Sequence, residues 1–479
     1  MGIRADVLRS YKIIDEDQID RLLKAEIAQS HKKLVVLDDD PTGVQTVHNV
    51  SVYTNWEKEA IRQGFEEESS LFYILTNSRG LTAQQTKMVH QEIGKTVAEV
   101  AKECRKDYVF ISRSDSTLRG HYPLETEILR ECCETYSGMK IDGEILCPFF
   151  KEGGRFTLEN VHYVQYGEEL IPANETEFAG DRTFGYSAAS MPAYVEEKTA
   201  GRYKEDTVIS ISLQDIHDMN IEKIEAQLME AADFQKVIVN AVDYADIKVF
   251  CVALYRAMAE GKKFLFRTAA SIVKVMGGVA NQPLLTRQQM RTTDTSNGGI
   301  IVAGSHTNKT TKQVEQLKEL EGVKLLELDV SLVKEEEAFQ AEVLRCLKEE
   351  EKYIKAGKNV CCFTSRRLMT ANSGEKEDEL MLSVRISEAV QTLVGSLNIA
   401  PSFVIAKGGI TSSDIGTKAL AVKKAHVLGQ ILPGVPVWQL GSESRFPGTP
   451  FVIFPGNVGE KDDLKKVVEI LSQSKRQPV

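Results

Sequence analysis

Long apolar runs, C-x-x-C pairs of cysteines and an excess of basic residues are all missing from this chain of 479 residues. No apolar run approaches the roughly 20 residues that are needed to cross a bilayer, so no membrane-spanning helix is expected. The first residues lack an apolar signal core, and Asp6 stands where a myristoylation signal needs Ser or Thr. These features predict a cytoplasmic protein that does not bind membranes.

Basic residues are outnumbered by acidic ones, with 59 Lys and Arg against 69 Asp and Glu, which gives a net charge of −10. An acidic chain repels a phosphate backbone, so a sequence-independent nucleic-acid binder is not expected. A local basic pocket for a small anion remains compatible with this charge. The hydrophobic share of 42% excludes an intrinsically disordered chain and is typical of a soluble globular protein.

The eight cysteines form no C-x-x-C pair, and no cluster of His and Cys suggests a metal site. Two pairs of cysteines are adjacent in the sequence, which suits neither zinc clamps nor ordinary disulfides. Cys147, Cys361 and Cys362 lie in apolar, strand-like runs. We interpret the cysteines as small buried side chains in a reducing compartment.

What the sequence does contain is a regular alternation of short apolar runs and helical stretches. An amphipathic helix is expected at Asp15–Gln29, where Asp15 and Gln18 have the spacing of a capping box. The predicted strands are Leu34–Leu37, Phe72–Thr76, Tyr108–Ile111, Glu144–Cys147, Thr207–Ile211, Val237–Asn240, Phe264–Phe266, Ile300–Ala303, Lys324–Leu328, Asn359–Phe363, Ser402–Ala406 and Phe451–Phe454. Helical segments between many of these runs predict parallel α/β sheets.

The alternation is interrupted at Gly277–Gly298, which is rich in Gly, Asn, Gln, Thr and Ser. We therefore predict an α/β protein of two domains, each with a mainly parallel sheet flanked by helices. The expected boundaries are residues 1–275, a linker at 276–298, and residues 299–479. Two such domains imply a cleft between them, where ligands usually bind.

Polar clusters follow three predicted strands of the first domain at the point where each strand ends. These clusters are Asp38-Asp39-Asp40-Pro41-Thr42-Gly43, Asn77-Ser78-Arg79-Gly80, and Ser112-Arg113-Ser114-Asp115-Ser116-Thr117-Leu118-Arg119-Gly120. Ligands of open parallel sheets bind outside the carboxyl ends of the strands, so the clusters predict one pocket. Its arginines suit carboxylate or phosphate, and its aspartates suit hydroxyl groups, one of which could lose a proton there. The mixture predicts a small polyhydroxy acid as the ligand.

Glycine-rich turns follow three predicted strands of the second domain. They are Gly304-Ser305-His306-Thr307-Asn308-Lys309-Thr310, Lys407-Gly408-Gly409-Ile410-Thr411-Ser412-Ser413, and Pro455-Gly456-Asn457-Val458-Gly459. Glycine lets the backbone approach a phosphate, and helix N-termini attract anions, so these turns predict a nucleotide site. The chain has neither a Walker P-loop nor a G-x-G-x-x-G motif after the first strand.

The clusters together resemble the motifs of the four-carbon acid sugar kinase family. The resemblance covers most of the chain and rests on Asp39-Asp40-Pro41-Thr42-Gly43, Ser78-Arg79, Asp115 to Gly120, Gly304 to Thr310, Gly408-Gly409-Ile410-Thr411, Leu432-Pro433-Gly434-Val435-Pro436 and Pro455 to Gly459. The chain departs from the family at Pro41, where Phe is usual, at Arg113, where Lys is usual, after the first motif, and at Asp181-Arg182-Thr183-Phe184-Gly185-Tyr186. These departures lie in the first domain and bear on which sugar acid is bound.

The resemblance implies a kinase that phosphorylates a threonate- or erythronate-like acid with ATP, with Mg²⁺ as the counter-ion of ATP and no metal held by the protein itself. It implies that Asp39 or Asp40 is the catalytic base. The residues expected to bind the substrate are Thr42, Gly43, Ser78, Arg79, Arg113, Asp115, Ser116 and Arg119. Those expected to bind the nucleotide are Ser305, Thr307, Gly408, Gly409, Ile410, Thr411, Gly456 and Asn457. A homodimer is a candidate assembly. The alternatives are a nicotinamide-dependent sugar-acid dehydrogenase and a sugar-acid-binding protein without catalysis.

Overall fold

The computed structural model describes residues 2–292, 295–304, 308–365, 376–456 and 459–472, with backbone only at 376–380. Its strands, numbered along the chain, are β1 (Ile3–Arg4), β2 (Lys33–Asp38), β3 (Val50–Tyr53), β4 (Leu71–Leu75), β5 (Tyr108–Arg113), β6 (Gly143–Cys147), β7 (Arg155–Leu158), β8 (Val161–Tyr166), β9 (Glu169–Pro172), β10 (Ile209–Ile211), β11 (Gln235–Val239), β12 (Phe264–Thr268), β13 (Ile300–Ala303), β14 (Val323–Leu328), β15 (Asn359–Thr364), β16 (Val404–Lys407), β17 (Lys424–Leu432), β18 (Val435–Leu440) and β19 (Pro450–Phe454).

The helices of the described residues are α1 (Glu16–Gln29), α2 (Lys58–Glu66), α3 (Ala83–Cys104), α4 (Leu124–Ser137), α5 (Met191–Lys198), α6 (Leu213–His217), α7 (Ile221–Glu230), α8 (Tyr244–Ala259), α9 (Ala270–Met276), α10 (Arg287–Met290), α11 (Asn308–Gln316), α12 (Glu336–Lys355), α13 (Lys376–Gly395), α14 (Gly409–Asp414) and α15 (Asp463–Ser472). The predicted helix at Asp15–Gln29 is confirmed, since Asp15 caps α1 by accepting a hydrogen bond from the Gln18 amide at 3.0 Å. None of these helices is long and apolar enough to cross a bilayer.

The chain divides into two compact units, and one short segment belongs to the unit that its sequence position does not suggest. The first unit comprises Met1–Val47 and Asn55–Asn281, and the second comprises His48–Thr54 and Gln282–Val479. Strand β3 therefore joins the second unit, where it pairs antiparallel with β17. Residues 276–298, which we expected to be a linker, contain α10 and place Leu285 and Met290 in the core of the second unit.

The first unit is built on a parallel sheet with the strand order β10-β11-β6-β12-β5-β2-β4. Strands β2, β4, β5, β6 and β12 are buried at every residue, as expected for a parallel sheet that is covered on both faces. Their near-continuous apolar sequences reflect this burial. A small antiparallel sheet of order β1-β9-β8-β7 completes the unit.

The second unit has a mixed sheet with the strand order β3-β17-β18-β19-β16-β13-β15-β14. The part from β19 to β14 is parallel, whereas the pairs β3–β17, β17–β18 and β18–β19 are antiparallel. The hairpin of β17 and β18 turns at Pro433 and Gly434, where Gly434 has a φ of 75°. The predicted fold class, two α/β domains with mainly parallel sheets, is confirmed.

The cysteines behave as their sequence context predicts. All eight are free thiols, seven are buried, and Cys104 is partly exposed. Cys147 lies in β6, and Cys361 and Cys362 lie in β15. Burial in an apolar sheet raises the pKa of the Cys147 thiol to about 12, so this thiol stays protonated and inert at neutral pH.

Candidate functional site

The three polar clusters of the first unit lie on neighbouring strands. Strand β2 pairs with β5 on one side and with β4 on the other, and β12 lies beyond β5. The last row of the sheet reads Thr268, Arg113, Asp38 and Leu75 across the four strands. The strand order therefore brings the three clusters together at the carboxyl edge of one sheet, as we expected.

Arg113 joins two of the acidic side chains. Its Nη1 donates to Asp38 Oδ1 at 2.9 Å and to Asp39 Oδ1 at 3.1 Å, and all three residues are buried. A single guanidinium nitrogen of Arg113 thus bridges two carboxylates.

The other two predicted arginines are paired with carboxylates as well. Arg79 follows β4 in a short 3₁₀ turn, and it donates to Asp115 Oδ1 at 3.0 Å and to Asp40. Arg119 Nε donates to Asp115 Oδ2 at 2.9 Å. The backbone amide of Asp115 donates to Asp39 Oδ2 at 3.2 Å and so connects the two acidic loops.

The four aspartates differ in their acidity because they differ in their partners. Burial raises the pKa of Asp38 to about 7 despite the nearby Arg113. Burial also raises the pKa of Asp39, against the opposing charges of Arg79 and Arg113. Burial acts on Asp40 too, but Arg79 and hydrogen bonds from Thr42 outweigh it and lower its pKa. Asp115 likewise has a lowered pKa, because Arg119 and Arg79 outweigh its burial.

The turn after β2 is shaped by contacts of its own residues. The Thr42 amide donates to Asp40 Oδ1 at 2.8 Å, which fixes that carboxylate. A Cβ atom on Gly43 would lie 2.1 Å from both carboxylate oxygens of Asp38, so the turn admits only glycine here. Ser78, which we predicted to bind the substrate, is fully buried in the short turn after β4. Its hydroxyl donates to Glu125 at 2.5 Å and so ties this turn to α4.

The loop from Asp115 to Gly120 is held through four successive backbone carbonyls. Leu118 and Gly120 have φ angles of 68° and 116°, so the loop has an unusual backbone conformation. Four side chains that are distant in the sequence donate to the carbonyl oxygens of this loop. His162 Nε2 donates to the Ser116 carbonyl at 2.8 Å, and the Tyr186 hydroxyl donates to the Thr117 carbonyl at 3.1 Å. The Tyr194 hydroxyl donates to the Leu118 carbonyl at 2.9 Å, and Arg267 Nη2 donates to the Arg119 carbonyl at 2.8 Å.

Several residues of this site were missed by the sequence reasoning. Asp38 belongs to the first polar cluster without a predicted role, although it accepts a hydrogen bond from Arg113. Arg267 and Thr268 lie at the end of β12, one strand from the predicted clusters, and the predicted strand ended at Phe266. The rule that found the other clusters, a polar residue after an apolar strand, would also have found these two residues. The sequence carried no such signal for His162, Tyr186 and Tyr194.

The glycine turns of the second unit also follow neighbouring strands. Ala303, Lys407 and Phe454 form one row across β13, β16 and β19, and the glycine turns follow directly. Gly408 has a φ of 111°, a conformation that disfavours any side chain. A Cβ atom on Gly456 would lie 3.8 Å from the Cα atom of Gly408, so the two turns run side by side as bare backbone.

The turn after β16 continues into α14. Gly408 precedes the helix, and Gly409, Ile410 and Thr411 form its first turn. Ile410 is 76% exposed, which is unusual for so large an apolar side chain. A Cβ atom on Gly304 would lie 2.9 Å from Thr411 Oγ1, so the turn after β13 passes close to this helix. Among the predicted nucleotide-binding residues, Ser305, Thr307 and Asn457 lie outside the described residues.

Lys407, for which the sequence predicts no role, is the last residue of β16 and holds the turn at Pro455 and Gly456. Its ammonium group is buried and donates to the carbonyl oxygens of Pro455 at 2.5 Å and Gly456 at 3.3 Å. It also lies 4.5 Å from the centre of the Phe454 ring. Burial lowers the pKa of Lys407 to about 7. In the part of the chain that the structure describes, no group of three His, Cys, Asp or Glu side chains is arranged to hold a metal ion.

Comparison with protein families assigns a domain type to each half of the chain. Residues 34–276 match the family described as sugar-binding N-terminal domain. Residues 300–464 match the family described as nucleotide-binding C-terminal domain. Both matches fit the four-carbon acid sugar kinase family to which the motifs point. They agree with the character of the two strand-end regions, one rich in arginine and aspartate and the other lined with glycine.

Solved structures with the same fold are remote in sequence. Haemophilus influenzae protein HI1011, of the family DUF1537, is 17% identical with a TM-score of 0.59, over 91% of this chain and 100% of that one. The "putative tRNA synthase" of Salmonella typhimurium LT2 is 14% identical with a TM-score of 0.65, over 91% of this chain and 98% of that one. At such identities the likeness establishes the fold alone. No curated protein matches the chain.

The raised pKa of Asp38 gives a testable dependence of stability on pH. A carboxyl group whose folded-state pKa is raised to about 7 favours folding below pH 4 and loses that contribution as the pH rises through 7. Because one pKa unit is worth about 1.4 kcal/mol, the loss is on the order of 4 kcal/mol. We expect the advantage of wild type over Asp38→Asn in melting temperature to shrink between pH 4.5 and pH 7.5.

Thermal unfolding at several pH values measures this difference. Asp107→Asn, which changes an exposed residue just before β5, is the matched control and should follow wild type. A difference between wild type and Asp38→Asn that is constant over this pH range would show that Asp38 does not titrate there.

Proposed function

Since this chain belongs to the family of proteins with a sugar-binding N-terminal domain and also matches a nucleotide-binding C-terminal domain, we propose that it is an ATP-dependent sugar-acid kinase. The acceptor would be a hydroxyl group of a small acid, with four-carbon acids such as threonate or erythronate as the first candidates. The observation that carries the proposal is the pairing, in one chain, of an aspartate–arginine site with a glycine-lined site.

The first unit has the chemistry that a sugar acid needs. Carboxylates accept hydrogen bonds from hydroxyl groups, and guanidinium groups bind carboxylates in a planar, bidentate manner. Asp40 is the most exposed of the acidic residues after β2, and its carboxylate is fixed by Arg79 and the Thr42 amide. This arrangement favours Asp40 as a residue that orients the substrate hydroxyl.

Asp39 is the better candidate for the general base. A base works best when its pKa lies close to the working pH, and burial moves the pKa of Asp39 in that direction. Arg79 holds the pKa of Asp40 low and makes Asp40 the weaker base. In this proposal the hydroxyl oxygen of the substrate bonds to the γ-phosphorus of ATP as the bond from that phosphorus to the β–γ bridging oxygen breaks. Asp39 takes the hydroxyl proton, ADP is the leaving group, and the substrate is released as its phosphate ester.

The second unit has the bare backbone that phosphate groups require. The turns at Gly304, Gly408 and Gly456 bring main chain rather than side chains to the edge of three adjacent strands. Bound ATP would supply the phosphoryl group, with Mg²⁺ neutralising its phosphates. Lys407 would keep the turn at Pro455 and Gly456 in place by bonding its carbonyl groups.

The proposal predicts ADP release that depends on a sugar acid. We expect turnover with at least one member of a panel of stereoisomeric threonates, erythronates and five- and six-carbon aldonates, measured by a coupled ADP-release assay with Mg²⁺. ATP, but not NAD, should raise the melting temperature, because a ligand that binds only the native state stabilises it.

Each alternative function has its own outcome in the same measurements. Stabilisation by NAD together with oxidation of a sugar acid would identify a dehydrogenase. Binding of an acid and of ATP with no ADP release across the whole panel would identify a protein without catalysis. Either result overturns the kinase proposal.

Loss of the proposed base should affect turnover much more than nucleotide binding. We expect Asp39→Asn to lower kcat by about 10² to 10⁴, the usual contribution of general base catalysis. Its affinity for ATP, measured by titration calorimetry, should stay within about twofold, because Asp39 belongs to the first unit. Asp40→Asn should also lower kcat more than ATP affinity.

The exposed control Asp107→Asn should retain full activity. If Asp39→Asn keeps its kcat, or loses ATP affinity as much as turnover, Asp39 is not the base. The acid limb of the pH profile of kcat/KM gives a second measurement, since it should change in Asp39→Asn and persist in Asp107→Asn.

The role of Lys407 in the nucleotide site can be tested separately. Lys407→Met removes two hydrogen bonds to carbonyl groups of the Pro455–Gly456 turn, each worth about 1 kcal/mol or more. We expect ATP affinity to fall by about tenfold while sugar-acid affinity is unchanged. Lys418→Met, at an exposed lysine beyond α14, is the control. Equal ATP affinity in Lys407→Met and wild type would contradict the assignment.

A further inference from the structure

Arg267 is a buried arginine without an acidic partner among the described residues. It lies in β12 and is 6% exposed, and no carboxylate oxygen of the described chain lies within 4.0 Å of its guanidinium nitrogens. In this it differs from Arg79, Arg113 and Arg119, which all have such partners. Arginine keeps its charge at neutral pH, and a buried charge without a counter-charge is costly.

Among the described residues, none of the carboxylates on neighbouring elements contacts Arg267, and three of the four are paired with other cations. Asp39 bonds Arg113, Asp115 bonds Arg79 and Arg119, and Glu144 pairs with Lys236. Glu125 accepts from the neutral Ser78 hydroxyl, and its charge attracts Arg267 from a longer distance. Arg267 itself makes one hydrogen bond, from Nη2 to the Arg119 carbonyl oxygen at 2.8 Å. The guanidinium group therefore has spare donors, and its charge faces the Tyr122 ring, 5.9 Å from the ring centre, rather than a carboxylate in contact.

A second unsatisfied group lies beside it. Thr268 is 2% exposed, and its hydroxyl oxygen has no hydrogen-bond partner within the described residues. Arg267 and Thr268 line a small cavity together with Asp115, Tyr194 and the apolar side chains of Leu118 and Leu146. Buried polar groups in native proteins nearly always have a partner, so the Thr268 hydroxyl can donate to a group or a water bound in this cavity.

The cavity adjoins the aspartate cluster. A Cβ atom on Gly120 would lie 3.2 Å from Arg267 Nη2 and 3.6 Å from Asp39 Oδ2, so the arginine and the proposed base flank the same glycine. A molecule held at Arg267 by one end would therefore have its other end within reach of the aspartates.

We propose that Arg267 and Thr268 form the subsite that binds the carboxylate group of the sugar acid. One arginine offers one positive charge and a planar pair of donors, and a carboxylate matches both, whereas a phosphate carries more charge. The Thr268 hydroxyl donates a further hydrogen bond to the same group. Arg79, Arg113 and Arg119, which the sequence suggested for this role, instead hold the carboxylates of the protein in place. The identity of the acid rests on the proposed function, but the anion site does not.

Binding measurements without ATP test this subsite. In titration calorimetry we expect Arg267→Gln to weaken the binding of the preferred four-carbon acid by about tenfold or more, the usual cost of losing a charged hydrogen-bonded partner. The corresponding neutral amide, which has no carboxylate charge, should bind wild type and Arg267→Gln with similar weak affinity. Thr268→Val, which keeps the shape of the side chain, should weaken binding of the acid by a smaller factor.

Two controls separate carboxylate binding from support of the loop. Tyr194→Phe removes another of the four bonds to the loop carbonyls, so it should affect the acid and the amide alike. Lys263→Gln removes an exposed positive charge from the opposite end of β12 and should leave both affinities unchanged.

The inference is overturned if Arg267→Gln and Thr268→Val leave the ratio of acid to amide affinity unchanged. It is also overturned if inorganic phosphate competes with the acid through Arg267 more strongly than acetate does.

The result is distinguishable from that of the kinase proposal. Acid binding that depends on Arg267, without ADP release, would leave the carboxylate subsite standing and remove the kinase. ADP release with an acid preference that does not depend on Arg267 would support the kinase and remove the carboxylate subsite.

Discussion

The contact by which Arg113 Nη1 bridges Asp38 and Asp39 is the interaction on which the first site depends. Three aspartates in a row at the buried end of a strand would repel one another, and the arginine on the adjacent strand lets them coexist. From Asp39 the contacts continue through the Asp115 amide to Arg79, and from there to Asp40. Loops that follow three different strands are thereby fixed as one preorganised unit, which is what catalysis of group transfer requires.

The parallel part of both sheets was predictable because strands that are buried on both faces leave continuous apolar runs in the sequence. Of the antiparallel strands in the second unit, β19 was predicted at Phe451–Phe454, whereas β3 and β17 were not, since β17 alternates in burial and β3 is short. Strand β17 has alternate buried and half-buried residues over nine positions, and β3 has only four residues. The hairpin turn at Pro433 and Gly434 was noticed only as a motif, although a Pro-Gly pair between two apolar runs is a turn signal.

The site was predicted in its composition and in its position at the strand ends, but not in its pairing. The sequence states that aspartates and arginines follow neighbouring strands. The sequence does not show which arginines form ion pairs within the protein, because that depends on loop conformation. Arg79, Arg113 and Arg119 pair with its own aspartates, whereas Arg267 has no carboxylate within 4.0 Å among the described residues. The side chains that hold the Asp115–Gly120 loop come from β8, α5 and the segment before α5, so no local pattern marks them.

The placement of β3 in the second unit has a consequence for dissecting the protein. Cutting the chain between Asn281 and Gln282 would separate most of the two units but would leave β3 on the wrong fragment. The second fragment would then expose the hydrogen-bonding edge of β17, a long strand that normally pairs with β3. Exposed strand edges promote aggregation, so we expect a soluble C-terminal fragment to need the seven-residue segment His48–Thr54 from near the start of the chain.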